Sequence, residues 1–472
     1  MIDDAVEATW APDGQQIAFL RSHPAAPGKT AAVSLMVARS DGGAPRAVAR
    51  FENVGGLGPR FSPDGRKIAL VFNGVAGGSF SLRLVDVATG AVESVDEPVG
   101  GIRPWTAIWT PDGRLVFTRG QTTASTLAGS TGRLVVLDLR TRHAAPVYAS
   151  PDSLGRLALL APGRLVVEQQ TFRQNVVEWA GPGGPRRLSH GRAADRQPVY
   201  TPDGRWVVFS SDRSGNLDLW AAAVDTGELR QLTDDAADDW DPGLGRDGRL
   251  FWSSNRSGKF EIWTAEADGS DARQVTHDGE DAENPAPTRD GRFVFYGSTR
   301  ANDSSGVWKA RSDGTQATPF VAGLLGMPEI SPDGKYALCL GFDATLTAKR
   351  LQAFRVADGQ PVDFEIAIDV VRPTTANLGR ARWMPDGRRI AFLGQDEKGT
   401  NGVFVQDFAP GKGTRSSRRK LAGFDPDLDA ETFGVSPDGS RVAIAGREMV
   451  SSLVLLEGLA GLGSSASSAT RR

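Results

Sequence analysis

The sequence predicts an all-β fold, a β-propeller of about ten four-stranded antiparallel blades in two rings or one large ring. Three observations predict it. The stretch from Thr201 to Trp308 repeats itself as TPDGRWVVFSSDRSGNLDLW, GRDGRLFWSSNRSGKFEIW and TRDGRFVFYGSTRANDSSGVW. The turn glycine of that unit recurs at Gly14, Gly65, Gly113, Gly163, Gly204, Gly248, Gly291, Gly334, Gly387 and Gly439, at spacings of 41 to 53 residues. Such a period marks a repeat architecture whose sheets must stack to bury their faces. The chain also carries 56 Gly and 28 Pro, and no long 3.6-residue apolar pattern, so little helix is expected.

Each element of the unit has a local cause. In Pro202-Asp203-Gly204 the proline presets φ, the Asp side chain accepts from nearby backbone N–H groups, and the glycine takes a positive φ. Seven turns read Pro-Asp-Gly, two read Arg-Asp-Gly, and the one at Gly163 has lost its Asp. An apolar run follows each, such as Ile68–Val71, Val207–Ser210 and Ile390–Leu393, as in a buried strand. Next come a polar loop and a strand ending in Trp220, Trp263 or Trp308, then a short run such as Arg230–Thr233. With the strand before the turn (Glu7–Ala11, Asp195–Tyr200, Glu431–Ser436) the unit has four strands.

The degenerate turn at Gly163 and the shorter repeats after it place a seam near Gly191. Residues 1–190 then hold repeats one to four as an incomplete ring, 191–460 hold repeats five to ten, and 461–472 form a disordered tail. Ser452–Glu457 supplies a strand, but the tail offers none and only Met1–Asp4 precede the first inner strand. The expectation is that the last blade lacks its outer strand within this chain, and that the array begins midway through a longer polypeptide.

A net charge of −3 argues against a nucleic-acid surface. Cys339 is the only cysteine, so no intrachain disulfide forms. No run has the length of a transmembrane helix, and MIDDAVEATW lacks the apolar core of a signal peptide. There is no Gly-x-Ser-x-Gly elbow and no kinase catalytic motif. His23, His143, His190 and His277 lie in separate units without paired spacing, so no catalytic, cofactor or metal residue is assigned.

The stretches SPDGRKIAL, TPDGRWVVFSSDRSGNLDLW, RQLTDD and SPDGKYAL resemble the Pro-Asp-Gly propeller repeats of TolB and its relatives. That resemblance covers residues 7 to 458 and implies a β-propeller in a cell-envelope, periplasmic setting. The last third, including GRARWMPDGRRIAFLGQDEKGTNGVFVQDFAPGKGT, is similar to the propeller region that follows the catalytic domain of some bacterial transmembrane serine/threonine kinases. It implies an upstream kinase domain in the natural polypeptide.

Two charged clusters stand out. Asp234, Asp235, Asp238, Asp239 and Asp241 fall in one loop, and Asp278, Glu280, Asp281 and Glu283 in the equivalent loop of the next unit. Equivalent loops of adjacent blades share a face, so these carboxylates are expected to form a rim that binds a basic partner peptide or weakly holds Ca²⁺, or else a solvated rim. Lys412, Arg415, Arg418, Arg419 and Lys420 read as a solvated hairpin tip. The turn aspartates read as turn-formers, Trp220, Trp263 and Trp308 as core between blades, and Arg213, Arg256 and Arg300 as donors that fix their loops. The function expected is a non-enzymatic platform that binds or senses a protein or peptide partner without a cofactor. The alternative is the sensor propeller of a serine/threonine kinase whose catalytic domain is absent from this chain; a hydrolase or lyase is disfavoured.

Overall fold

In a computed structural model, residues 5–23, 32–52, 54–74, 80–95, 106–121, 131–181, 184–277, 279–299, 306–342, 348–371, 378–459 and 462 are described. Among them every named strand pairing is antiparallel, and helix is confined to single turns such as Arg415–Ser417. Eight sheets have four strands in chain order, and a ninth has five. The chain is a β-propeller array as expected, with nine sheets among the described residues where about ten blades were expected.

The chain divides into two compact units, Met1–Phe172 with Met449–Arg472, and Arg173–Glu448. The expected seam near Gly191 differs from this division. The difference has a physical reason: the division falls inside two 16-residue strands, Arg164–Trp179 and Val442–Glu457, and strands carry no linker signature. The first unit contains the sheets at 5–52, 54–94 and 107–150. It also contains Ser153–Ala161 paired with the beginning of Arg164–Trp179.

The second unit holds six blades. Five are consecutive, at 196–231, 239–274, 282–322, 325–367 and 381–423. The sixth is built from both ends of the unit. Asp429–Val435 pairs with the start of Val442–Glu457, that strand neighbours Arg164–Trp179, and the end of the latter pairs with Pro185–Arg187. The last blade was expected to lack its outer strand. It does not, because a segment from the middle of the chain completes it; Met1–Asp4 lie outside the described residues. Two buried carboxylates fasten this blade. Glu178 accepts from the Tyr200 hydroxyl at 2.8 Å and pairs with Arg186 at 2.6 Å and Arg441 at 3.5 Å. Glu431 pairs with Arg196 at 2.7 Å, lies 3.5 Å from Arg447, and accepts from the Gln174 amide.

The turns are built as the sequence implies. At the representative one, the Thr201 hydroxyl donates to Asp203 at 2.6 Å, the Arg205 N–H donates to the same oxygen at 3.0 Å, and the Gly204 N–H closes onto the Thr201 carbonyl at 2.8 Å. All ten turn glycines have φ between +65° and +87°. The tryptophans do pack between blades. Trp220 lies against a cluster shared by Val176 and Leu188 of the closing blade and Phe209 of the next. Trp263 and Trp308 occupy the following two seams. Arg213 binds Asp195 with two bonds of 2.7 and 2.8 Å and lies over the Trp220 ring at 5.1 Å. Arg256 repeats this with Asp239 and Trp263, while Arg300 lies outside the described residues.

Two outcomes follow. A Cβ at Gly334 would meet nothing within 4 Å although φ is +72°, so Gly334→Val isolates backbone strain and is expected to cost about 1–2 kcal/mol. Urea unfolding measures it, and an unchanged midpoint would refute the turn conformation. Cys339 is fully buried in the strand Tyr336–Phe342, and burial pushes its thiol up to about 12. A thiol-specific disulfide reagent is therefore expected to leave the native chain unmodified and to titrate one thiol in denaturant.

Candidate functional site

Four of the six inner strands of the six-bladed unit share a backbone device. Seven residues before the turn glycine, Gln197, Asp241, Asn284 and Met327 have φ of +54°, +54°, +57° and +50°. Each is followed by proline: Pro198, Pro242, Pro285 and Pro328. Proline disfavours the right-handed α region for the residue before it, and Asn and Asp tolerate the left-handed one. The result is a bulge, seen as a register shift at the same place in each inner strand. Bulges re-aim side chains.

The re-aimed residues meet around the middle of the unit. The Gln197 amide oxygen accepts from the Asp241 N–H at 3.3 Å, and the Gln197 N–H donates to Thr432 at 2.9 Å. Arg380 stands at the corresponding place in the fifth blade and donates to Asp241 at 3.1 Å and Asn284 at 2.7 Å. Arg380 is only 8% exposed, and its Nε has no partner among the described residues. Burial lowers the Arg380 pKa against the pull of Asp241. Two positions further on, Arg382 pairs with Glu329 at 3.1 Å; burial raises the Glu329 pKa and Arg382 opposes it. Glu283 is pushed up to about 8 by burial, then by the charges of Asp241 and Asp281, with Arg380 acting against them.

A cavity of about 480 Å³ opens at the end of the inner strands that carries the Asp-Gly turns. All six blades contribute to it. Prolines from every blade, such as Pro202, Pro242 and Pro437, form stiff walls. Its charged residues are Arg246, Arg289, Arg380 and Arg382 against Asp241 and Glu329.

The nine carboxylates expected on one rim have different surroundings. Asp239 is fully buried under Arg256, which also holds Asp235 at 2.5 Å. Asp238 and Asp281 accept backbone N–H bonds from Leu217 and Phe260 at 3.1 and 3.2 Å. Asp241 and Glu283 belong with the inner-strand polar groups. Asp234 and Glu280 are exposed, the latter 3.2 Å from Lys259, and Asp278 lies outside the described residues. In the basic hairpin, Arg415 and Arg418 pair with Asp369 and Lys420 with Asp396. No group of three His, Cys, Asp or Glu able to hold a metal occurs among the described residues. The sequence reading missed Arg380, Arg382, Arg246 and Arg289. The recurrent residue-proline pair at fixed distance from the turn glycine would have located the ring.

Residues 186–360 match the TolB beta propeller domain, PD40. An uncharacterized protein of Agrobacterium fabrum is 28% identical over 189 residues, 39% of this chain and 60% of that protein. The Tol-Pal system protein TolB of Bordetella pertussis is 36% identical over 53 residues, 11% of this chain and 12% of TolB. The chain thus spans less than two thirds of these relatives. The crystal structure of TolB from Acinetobacter baumannii aligns with 67% of this chain and 66% of its own at 21% identity and a TM-score of 0.26. Among the described residues no helix is long and apolar enough to cross a membrane.

The raised Glu283 pKa has a defined consequence. The native state holds this proton more tightly than the unfolded chain, whose carboxyl titrates near 4.5. The group's contribution to stability is therefore full below that pH and is lost as pH rises through about 8. Glu283→Gln, which mimics the protonated form, is expected to melt close to wild type at pH 5 and a few degrees higher at pH 9, at roughly 2–4 °C per kcal/mol. Thermal scans at both values check this, and an equal offset at both would contradict it.

Proposed function

We propose that the six-bladed unit is a non-enzymatic binding platform whose ligand is a peptide or a protein segment, received in the cavity at the turn end of the inner strands. The observation that carries this reading is that one cavity gathers walls from all six blades. Proline-lined rigid walls and a few directed polar groups make a pre-formed site, as binding pockets do. Arg380 lies beside Asp241 and Arg382 beside Glu329, and the Ser331 and Ser436 hydroxyls of the lining are held by the turn aspartates Asp333 and Asp438, which supports binding without chemistry. The match of residues 186–360 to the TolB beta propeller domain supports a platform in general.

The reading is tested with the full chain. Because Cys339 is buried, a single introduced cysteine can be labelled selectively. Pro202 is exposed and lines the cavity, whereas Asp225 is exposed and does not. Peptides selected on the unlabelled chain from a random displayed library are expected to bind, to be recovered uncut, and to lose binding when Pro202→Cys carries a bulky maleimide. The same label on Asp225→Cys should leave binding unchanged. Failure to select any peptide, cleavage of bound peptide, or indifference to the Pro202 label would overturn it.

A further inference from the structure

We infer that the cavity of the six-bladed unit recognises a carboxylate of its ligand, with Arg380 as the buried anchor and Arg246 and Arg289 as the charged mouth. This deepens the peptide-binding reading and rests on it. Four arginines and two carboxylates line the cavity. Asp241 is committed to Arg380 and Glu329 to Arg382. Arg246 and Arg289 are exposed at the same cavity. Arg289 reaches only the Pro332 carbonyl, at 3.5 Å, and Arg246 has no ion-pair or hydrogen-bond partner among the described residues. The lining is therefore net positive in a chain whose overall charge is −3.

Arg380 supplies the specific element. A guanidinium presents five donors in a rigid planar fork that matches a carboxylate. Here Nη2 donates to both Asp241 and Asn284, and the buried Nε is left without an acceptor among the described residues. Leaving a buried charged donor unmet is costly, and a ligand oxygen would satisfy it. The chemistry favours a single negative charge over a phosphate dianion. Asp241 and Glu329 border the same space and would repel the second charge. Exposed Arg246 and Arg289 steer an acidic ligand without fixing its geometry, so their effect should weaken with salt.

The carboxylate has two sources in a peptide, the chain end or an Asp or Glu side chain. Fluorescent random twelve-residue peptides in four pools separate them: free acid or C-terminal amide, each with internal Asp and Glu either present or replaced by Asn and Gln. Anisotropy with the full chain is expected to show at least about tenfold tighter binding for pools that carry the relevant carboxylate, since charged hydrogen bonds contribute on this scale. Preference for free acids identifies the chain end, and preference for internal acids identifies side chains. Arg246→Gln with Arg289→Gln, both exposed, should weaken binding severalfold and flatten its salt dependence without lowering the melting temperature. Arg380→Lys should remove the preference between pools; if that variant does not fold, the exposed pair still decides. Binding of the neutral amide pool as tightly as the acidic ones overturns this inference while leaving peptide binding in place. Absence of binding by every pool overturns both.

Discussion

The six-bladed unit depends on how its ring is closed. Five blades are consecutive in the chain, and the sixth joins Asp429–Val435 and the start of Val442–Glu457 to a strand that precedes the first blade. Stacked blades bury their faces only against neighbours, so an unclosed ring would expose two sheet faces and a strand edge. Closure brings Gln174 to Glu431 and Glu178 to Arg441 and Tyr200. Both carboxylates are almost wholly buried. Removing one partner of such a pair leaves an uncompensated charge and is expected to be far more damaging than loss of a surface ion pair.

The cavity follows from the same geometry. Where inner strands converge, side-chain space is scarce. At Gly434 an added Cβ would lie 2.4 Å from the Pro198 carbonyl, and at Gly243 one would lie 2.7 Å from that of Pro285. Between these close approaches the bulged residues Gln197, Asp241 and Asn284 turn polar groups toward their neighbours. Arg380 of the fifth blade meets Asp241 and Asn284, linking three blades. The fold thus concentrates buried charge near the middle of the ring, while the Asp-Gly turns around it remain solvent-exposed.

Much of this was legible in the sequence, for local reasons. Pro202-Asp203-Gly204 specifies its turn through bonds within five residues, and Trp220, Trp263 and Trp308 announce their seams by recurring after the same loop. Closure was not legible, because Gln174–Trp179 and Val442–Arg447 are far apart in the chain and neither carries a marker of the other. The acidic loops misled for a different reason. Contiguity in sequence placed Asp235, Asp239 and Asp241 together, but Asp235 and Asp239 bind Arg256 while the bulge at Asp241 re-aims that residue to Arg380. The arginines of the cavity come from three blades: Arg246 and Arg289 open the two Arg-Asp-Gly turns, but Arg380 and Arg382 carry no local mark that joins them to that pair.

Hydrogen exchange as a function of urea tests closure most directly. If the mid-chain strand completes the sixth blade, amides of Gln174–Trp179 and of Val442–Arg447 will open with the same free energy and urea dependence as the core strand Trp206–Ser211, because one cooperative ring holds all three. Amides of Gln174–Trp179 that exchange at lower urea, while Trp206–Ser211 stays protected, would contradict it.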